Sequence, residues 1–350
     1  MKIRVAIIDN NKDYLNNLID YFNSKYSFEI EPIAFSDVDA AEKATLNNID
    51  IYLIEEQFVD KFEKYDDIKK IILVSSSDID EYHGKKATGK YQKIENIYKV
   101  ILDVYSASTK YDFSQKTGDV GAKVVCFTSV CGGVGTTTVS LSYAINKAIK
   151  GMKVLYLDLN EISNVSAFLN GEGEYTFSDV QYSIKSKKSN LSIRIKSYVR
   201  TDESGVDYFA EPVNVLDMTE MTDSDMIELF ETIISIKDYD LIVVDMKLLF
   251  RKFQLKILSK ADGIIFISDG SSAANSKIYS MNNALIEYEK KNGEEYLAKS
   301  VLIYNRFSSK LGTVIDNLSI RYIGGIQRIS DATERQIINQ ISQSPVLSTI

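Results

Sequence analysis

The sequence contains little cysteine and little histidine. Among its 350 residues there are two cysteines and one histidine, and the cysteines do not form a Cys-x-x-Cys pair. Folds held together by disulfides need several cysteines, and structural zinc sites need four cysteine or histidine ligands. The composition therefore argues against both classes and fits a protein of the reducing cytoplasm.

Long apolar runs and an excess of positive charge are missing as well. No stretch approaches the length of a membrane span, and the apolar core of the segment Met1–Asp9 is too short for a signal peptide. With 41 basic and 49 acidic residues the net charge is −8, which argues against general binding to nucleic-acid phosphates. The C-terminal helical pattern has one basic residue nearby, Arg335, unlike a basic membrane-binding helix. We therefore expect a cytoplasmic protein with no nucleic-acid partner and no direct membrane insertion.

A glycine-rich segment lies between two apolar runs in the region Val124–Asp158. The run Val124–Phe127 precedes it, a helical pattern follows it, and a second run ends in Asp158. This order predicts a βαβ unit whose loop opens a helix. Backbone N–H groups of such a glycine loop, here Cys131–Thr138, turn inward around an anion, and the helix dipole adds partial positive charge. The pattern predicts a phosphate-binding loop.

The spacing resembles the deviant Walker A loop of MinD/ParA-type ATPases, Lys-Gly-Gly-x-Gly-Lys-Thr-Thr. The glycines and hydroxyls of that pattern occur here as Gly132, Gly133, Gly135, Thr137 and Thr138. Both lysines are replaced, the signature lysine by Cys131 and the P-loop lysine by Thr136. The resemblance therefore implies that ATP binds with Mg²⁺, whereas hydrolysis is slow or absent. Lys247 or Lys277 could reach the loop from another segment.

The resemblance also assigns residues to the site. For nucleotide binding it implies Gly132, Gly133, Val134, Gly135, Thr136, Thr137, Thr138, Asn305, Arg306, Gln327 and Arg328. Asp158 matches the first aspartate of the family's catalytic turn, and Asn160 replaces the second. Asp245 closes an apolar run, Tyr239–Asp245, that resembles the Walker B strand, so the implied magnesium ligands are Thr137, Asp158 and Asp245. Asn305, at the end of a later predicted strand, Val301–Arg306, would read the adenine edge.

The first hundred residues show a second alternation of strands and helices. Apolar runs at Val5–Ile8, Ile30–Phe35, Ile51–Ile54 and Ile71–Val74, with a weaker one at Ala87–Tyr91, predict a doubly wound parallel sheet. Their carboxyl ends carry Asp9-Asn10, Glu55, Ser75 and Lys90. This set resembles the receiver domain of response regulators, with glutamate in place of the phosphoacceptor aspartate and Asn10 weakening the metal-binding acidic pair. We favour a retired receiver that serves as a docking or dimer module; the alternative is a phosphorylation switch.

The predicted fold class is α/β, with two doubly wound parallel-sheet domains. A flavodoxin-like receiver domain covers 1–106, a linker 107–121, and a P-loop NTPase domain of MinD/ParA type 122–350. This architecture resembles the TadZ/CpaE family of pilus assembly proteins. The resemblance implies a homodimeric, ATP-binding localisation or scaffold factor, often at a cell pole, whose partners are proteins of the Tad pilus secretion machinery. Two alternatives are an active ParA/MinD-like ATPase that positions DNA or other cargo and a phosphorylation-controlled response regulator.

Overall fold

The computed structural model of the chain describes residues 2–27, 29–44, 49–65, 68–76, 79, 81–106, 121–187, 190–308 and 312–350. The chain divides into two compact units, one formed by Met1–Phe113 and Lys188–Ser197, the other by Ser114–Lys187 and Tyr198–Ile350. The predicted linker, 107–121, lies outside the described residues apart from Gly121. The expected domain boundaries stay a prediction. No helix in the described ranges is both long and apolar enough to cross a membrane.

The first unit is built on a six-stranded sheet with strand order β2-β1-β3-β4-β6-β5. All strand pairs are parallel except β5 with β6. Without β5 this is the strand order of flavodoxin-like folds. The elements are β1 (Ile3–Ile8), α1 (Lys12–Lys25), β2 (Ile30–Phe35), α2 (Val38–Ala44), β3 (Ile51–Glu55), α3 (Val59–Phe62), β4 (Lys70–Val74), β5 (Glu81–Tyr82), β6 (Lys85–Gly89) and α4 (Ile94–Ser106).

Helices cover both faces of this sheet. Leu18 and Phe22 of α1 pack with Ile97 and Ile101 of α4 in one core cluster, and α2 and α3 contribute to a second cluster on the other face. The central strands β1, β3 and β4 are buried almost throughout, which explains why they read as continuous apolar runs rather than as alternating patterns. Ile193, from the segment Lys188–Ser197, belongs to the first of these clusters.

The second unit is built on an eight-stranded sheet with strand order β14-β13-β12-β7-β11-β8-β10-β9. Its strands are parallel except for β9, which pairs antiparallel with β10. Two parallel-dominated sheets confirm the predicted fold class. The elements after residue 121 are β7 (Lys123–Ser129), α5 (Thr136–Ile149), β8 (Val154–Asp158), α6 (Phe177–Lys185), α7 (Leu191–Tyr198), β9 (Arg200–Thr201), β10 (Val206–Tyr208), α8 (Val215–Thr219), α9 (Asp223–Ile236), β11 (Leu241–Lys247), α10 (Lys252–Lys260), β12 (Gly263–Ser268), α11 (Ser272–Asn292), β13 (Ser300–Phe307), β14 (Arg321–Gln327) and α12 (Glu334–Ser342).

Strand β11 differs from the sequence prediction at its carboxyl end. The apolar run was expected to close the strand at Asp245, but the strand continues through Met246 and Lys247. The reason is its neighbour: β7 extends to Ser129, and its last two residues pair with Met246 and Lys247. Asp245 therefore lies two residues inside the strand, and Lys247 occupies the end.

Candidate functional site

The glycine loop connects β7 to α5 at the carboxyl edge of the sheet. Gly133 and Gly135 adopt positive φ angles of 76° and 84°, which side chains disfavour. At Gly135 a Cβ would also collide with Nδ2 of Asn305, so this position needs glycine for two reasons. Helix α5 begins at Thr136, directly after the loop, so the loop opens the helix as the sequence pattern predicts.

A cavity of about 310 Å³ opens beside this loop. We call it the loop cavity. Its lining includes Gly132, Gly133, Gly135, Thr136 and Thr137 together with Ser129, Cys131, Asn160, Asp245, Met246, Lys247 and Arg306. Val134 does not face it, because its side chain is buried in the core of the unit. Thr138 is absent from this lining, and its carbonyl accepts a hydrogen bond from Ser142 Oγ.

Two of the three predicted magnesium ligands, Thr137 and Asp245, line the loop cavity, whereas Asp158 lines a neighbouring cavity of about 340 Å³ that Thr137 also borders. Thr137 Oγ1 donates to Asp245 Oδ2 at 2.6 Å, and Asp245 is the register partner of Asp158 on the neighbouring strand β8. Burial and the charge of Asp158 raise the pKa of Asp245. A hydroxyl and two carboxylates are oxygen ligands that suit Mg²⁺, which usually combines one or two carboxylates with substrate phosphates. A divalent cation would also relieve the repulsion between the carboxylates, so the residues present fit the ion.

Asp158 is held by its own turn. Its Oδ2 accepts from Ser163 Oγ at 2.7 Å, and its Oδ1 accepts from the backbone N and the Nδ2 of Asn160 at 3.0 and 2.7 Å. Burial raises the pKa of Asp158, and these hydrogen bonds offset part of that rise. Across the described residues, no group of three or more His, Cys, Asp and Glu side chains could by itself hold a metal ion.

Sequence reasoning missed Tyr156. Its hydroxyl lies 2.9 Å from Ser140 Oγ and donates at 2.9 Å to Asp245 Oδ2, the oxygen that Thr137 also contacts. The ring is buried in β8, two residues before Asp158. The sequence does contain a signal for this role. Tyr156 brings a hydroxyl into an otherwise aliphatic run, and it lies on the same strand face as the predicted ligand Asp158. Tyr156 thus fixes the orientation of the Asp245 carboxylate.

The residues predicted to contact the base divide into two groups. Asn305 is buried, and its Nδ2 donates to the carbonyl of Val134 at 2.8 Å, while Arg306 Nη1 donates to the carbonyl of Gly133 at 3.1 Å. Both side chains therefore brace the glycine loop. Gln327 and Arg328, at the end of β14, are exposed and do not line the loop cavity. Roles in reading the base stay predictions for all four.

A second cluster of charged side chains lies at the carboxyl ends of β1, β3 and β6 in the first unit. Lys90 Nζ lies 2.7 Å from Asp9 Oδ2 and 2.7 Å from Glu55 Oε1, and all three side chains are buried. Gln57 Nε2 donates to Glu55 Oε2 at 2.6 Å, and the backbone N of Asn10 at 3.3 Å. We call Asp9, Glu55 and Lys90 the Lys90 cluster. Ser75 lies outside it, exposed, with its backbone N bonded to Glu56.

Charge pairing and hydrogen bonds decide the pKa shifts of Lys90 and Glu55, whereas burial raises the pKa of Asp9 despite its contact with Lys90. Burial alone would lower the pKa of Lys90, but hydrogen bonds to Asp9 and Glu55 raise it above its usual range. Burial would likewise raise the pKa of Glu55, but bonds from Lys90, Gln57 and Asn10 lower it overall. The glutamate carboxylate is therefore ionised and already occupied by donors.

Comparisons with known proteins give a match for the N-terminal region and another for the region that contains the glycine loop. Residues 1–106 match the family model described as a TadZ-like receiver domain, and residues 122–296 match the model of an AAA domain. No curated protein matches the chain at a significant level.

Solved structures resemble about two thirds of the chain. A ParA family ATPase from Chlorobium tepidum is 16% identical, with a TM-score of 0.50 over 65% of this chain and 92% of that chain. The cell division ATPase MinD of Pyrococcus furiosus is 15% identical (TM-score 0.47; 63% and 97% covered). A plasmid partition protein from Borrelia burgdorferi is 17% identical (TM-score 0.46; 66% and 100% covered). The two family models confirm the predicted family resemblance, and the similarity to the ParA family ATPase structure agrees with the predicted fold.

Proposed function

The chain belongs to the AAA domain family of ParA/MinD type and carries a TadZ-like receiver domain at its N-terminus, and from this premise we propose that it is an ATP-binding scaffold and localisation factor for Tad-type pilus assembly with little or no ATP hydrolysis. The observation that carries the proposal is the glycine loop, which keeps its phosphate-binding backbone but has no basic residue.

Nucleotide binding is supported by the loop and its surroundings. Gly132 and Gly133 have open space where a Cβ would stand, so phosphate oxygens can approach the backbone closely. Thr137 and Asp245, with Asp158 beside them, would hold Mg²⁺, which when bound neutralises phosphate charge. Arg306 and Asn305 keep the loop in shape through their bonds to Gly133 and Val134.

Slow hydrolysis follows from the missing loop lysines. Phosphoryl transfer depends on fixed positive groups that stabilise charge developing on the γ-phosphate, and such groups typically contribute several kcal/mol. Cys131 and Thr136 supply no charge at the two family positions. In addition, Asn160 stands where the family has an aspartate, and an amide cannot act as a base. Ground-state binding therefore survives better than catalysis.

Two measurements test the proposal. Isothermal titration calorimetry with Mg²⁺ should show ATP binding to the wild type and a marked loss in D245A, while phosphate release stays far below ordinary ATPase rates. Release at about 1 per second or faster would instead favour an active ParA/MinD-like ATPase.

The scaffold role is tested separately. A two-hybrid assay against the secretion ATPase encoded with the same pilus genes should give an interaction, and a fluorescent fusion should concentrate at a cell pole. A diffuse fusion with no interaction contradicts the localisation and scaffold role while leaving ATP binding intact.

A further inference from the structure

Among the residues that the structure describes, the loop cavity has one basic side chain without a hydrogen-bonding or ion-pair partner. From Val130 to Asn146 the chain contains no lysine or arginine. Among the described residues that line the cavity, the basic ones are Lys247 and Arg306. The Arg306 guanidinium already donates to the carbonyl of Gly133. The ammonium of Lys247 has no hydrogen bond or ion pair with any described residue, and its side chain is exposed.

Strand geometry directs Lys247 to the phosphate-binding loop. It is the last residue of β11 and the register partner of Ser129, the last residue of β7 before the loop. It also lies two residues after Asp245, so the two side chains project from the same face of the strand. That is the face on which Asp245 meets Thr137 of α5. Lys247 therefore stands one step further along this face, beside the loop.

The backbone of Lys247 is fixed on both sides. Its N–H donates to Asn160 Oδ1 at 3.0 Å, and its carbonyl accepts from Gln254 Nε2 at 2.6 Å. Gln254 is buried and uses its other amide atom to accept from the backbone N–H groups of Leu249 and Arg251. The base of the side chain is thus rigid while its charged end is free, which suits a cation that contacts a ligand in the adjacent cavity.

The electrostatic environment of Cys131 includes both candidate lysines. Burial raises the pKa of the Cys131 thiol, the positive charge of Lys277 lowers it, the negative charge of Asp269 raises it, and the positive charge of Lys247 lowers it. Both lysines thus act where the family pattern has its signature lysine, and the lining of the loop cavity distinguishes them. Lys247 lines the loop cavity, whereas Lys277, which lies on α11, does not.

We propose that Lys247 replaces the absent loop lysines as the cation that contacts the β- and γ-phosphates of bound ATP. The inference rests on the proposed function and adds a phosphate-contacting residue outside the glycine loop. It also supplies a positive charge to a loop without lysine, because the charge comes from the neighbouring strand of the same chain. A lysine at a strand end is less closely fixed to the γ-phosphate than one inside the loop, which fits binding without fast hydrolysis.

The test compares the full-length wild type with K247M, K247R and K277A. Displacement of a fluorescent nucleotide gives the affinities for ATP and for AMP in the presence of Mg²⁺. We expect K247M to weaken ATP binding about tenfold or more, because a charge-assisted contact to phosphate is lost. AMP, which lacks the β- and γ-phosphates, should bind K247M within about twofold of the wild type. K247R should retain most of the ATP affinity, and K277A should match the wild type.

Each other outcome has a definite meaning. ATP affinity unchanged in K247M, an equal loss in K277A, or an equal loss for AMP overturns the role of Lys247 at the terminal phosphates. If K247R is as weak as K247M, a charge at this position is not sufficient, and the inference as stated is wrong. Failure of the wild type to bind ATP refutes the proposed function itself and the inference with it. Circular dichroism of each variant confirms that the fold is intact, which is expected because Lys247 is exposed.

Discussion

Removal of Lys90 should destabilise the first unit far more than removal of an exposed lysine in the same unit. In the variant K90M the carboxylates of Asp9 and Glu55 lose the ammonium that lies 2.7 Å from each. The side chains of Lys90 and Asp9 are 3% and 0% exposed, so water cannot take over this contact. Breaking a buried ion pair by removing one partner typically costs about 3–5 kcal/mol. We expect a loss of this size in the free energy of unfolding.

The control is K61M. Lys61 pairs with Asp39 at 3.2 Å, but the two side chains are 53% and 71% exposed. Exposed pairs typically contribute about 0–1 kcal/mol, so K61M should be nearly neutral. Hydrogen exchange of the full chain, read by mass spectrometry on peptides that cover β1 and β3, gives the local opening free energies of both variants. A loss in K90M that is within about 1 kcal/mol of the loss in K61M would refute the reasoning.

The pH dependence provides a second check with a defined sign. In the wild type the lowered pKa of Glu55 stabilises the fold above the unfolded pKa, and this contribution is lost as the pH falls through the folded pKa. In K90M the cation is gone, so burial raises the pKa of Glu55 and raises further the pKa of Asp9, which burial already raises in the wild type. Their protonation then relieves the unpaired charge. The deficit of K90M relative to the wild type should therefore be largest near about pH 7 and shrink towards about pH 5.

Four further outcomes are expected. G135A should reduce ATP affinity more than about tenfold, while G151A, also at positive φ but with open space around it, should bind ATP normally. Acetyl phosphate with Mg²⁺ should leave the mass of the protein unchanged, because Glu55 is already occupied by donors; a stable phosphoryl adduct there contradicts the retired-receiver interpretation. Y156F should raise the Mg²⁺ concentration needed for ATP binding several-fold through the lost bond to Asp245, whereas Y143F, which alters another buried tyrosine of the same core cluster, should not. Light scattering after size exclusion should show a homodimer with ATP and without it, since no signature lysine crosses between subunits; a monomer in both conditions rejects this.

The fold could be predicted because buried parallel strands leave a clear pattern. The runs Ile51–Ile54 and Val154–Leu157 are apolar throughout, since helices cover both faces of the sheets, and each is observed as a strand. The glycine loop was equally visible, because positive φ angles at Gly133 and Gly135 restrict the residue type. These features are local, so single-sequence reasoning could identify them.

The missed residues depend on contacts across the sheet. Tyr156 meets Asp245 from 89 positions away, and no periodicity within either strand indicates that their side chains touch. The extension of β11 to Lys247 follows from pairing with β7, which begins more than a hundred residues earlier. In the same way, the bond from Asn305 to Val134 spans 171 positions. Register between distant strands decides the first two contacts, and the third joins β13 to the glycine loop; the sequence encodes none of them locally.

Asn160 shows how a departure from the family pattern can have a structural reason. Its Nδ2 donates to Asp158 Oδ1 while its Oδ1 accepts the backbone N–H of Lys247. An aspartate at this position could accept from Lys247 but could not donate to Asp158. It would also place a third carboxylate beside Asp158 and Asp245, whose pKa values are already raised. An amide is therefore the side chain that can join Asp158 to the strand end carrying Lys247 without adding charge. The same amide holds the backbone of Lys247 at the edge of the loop cavity.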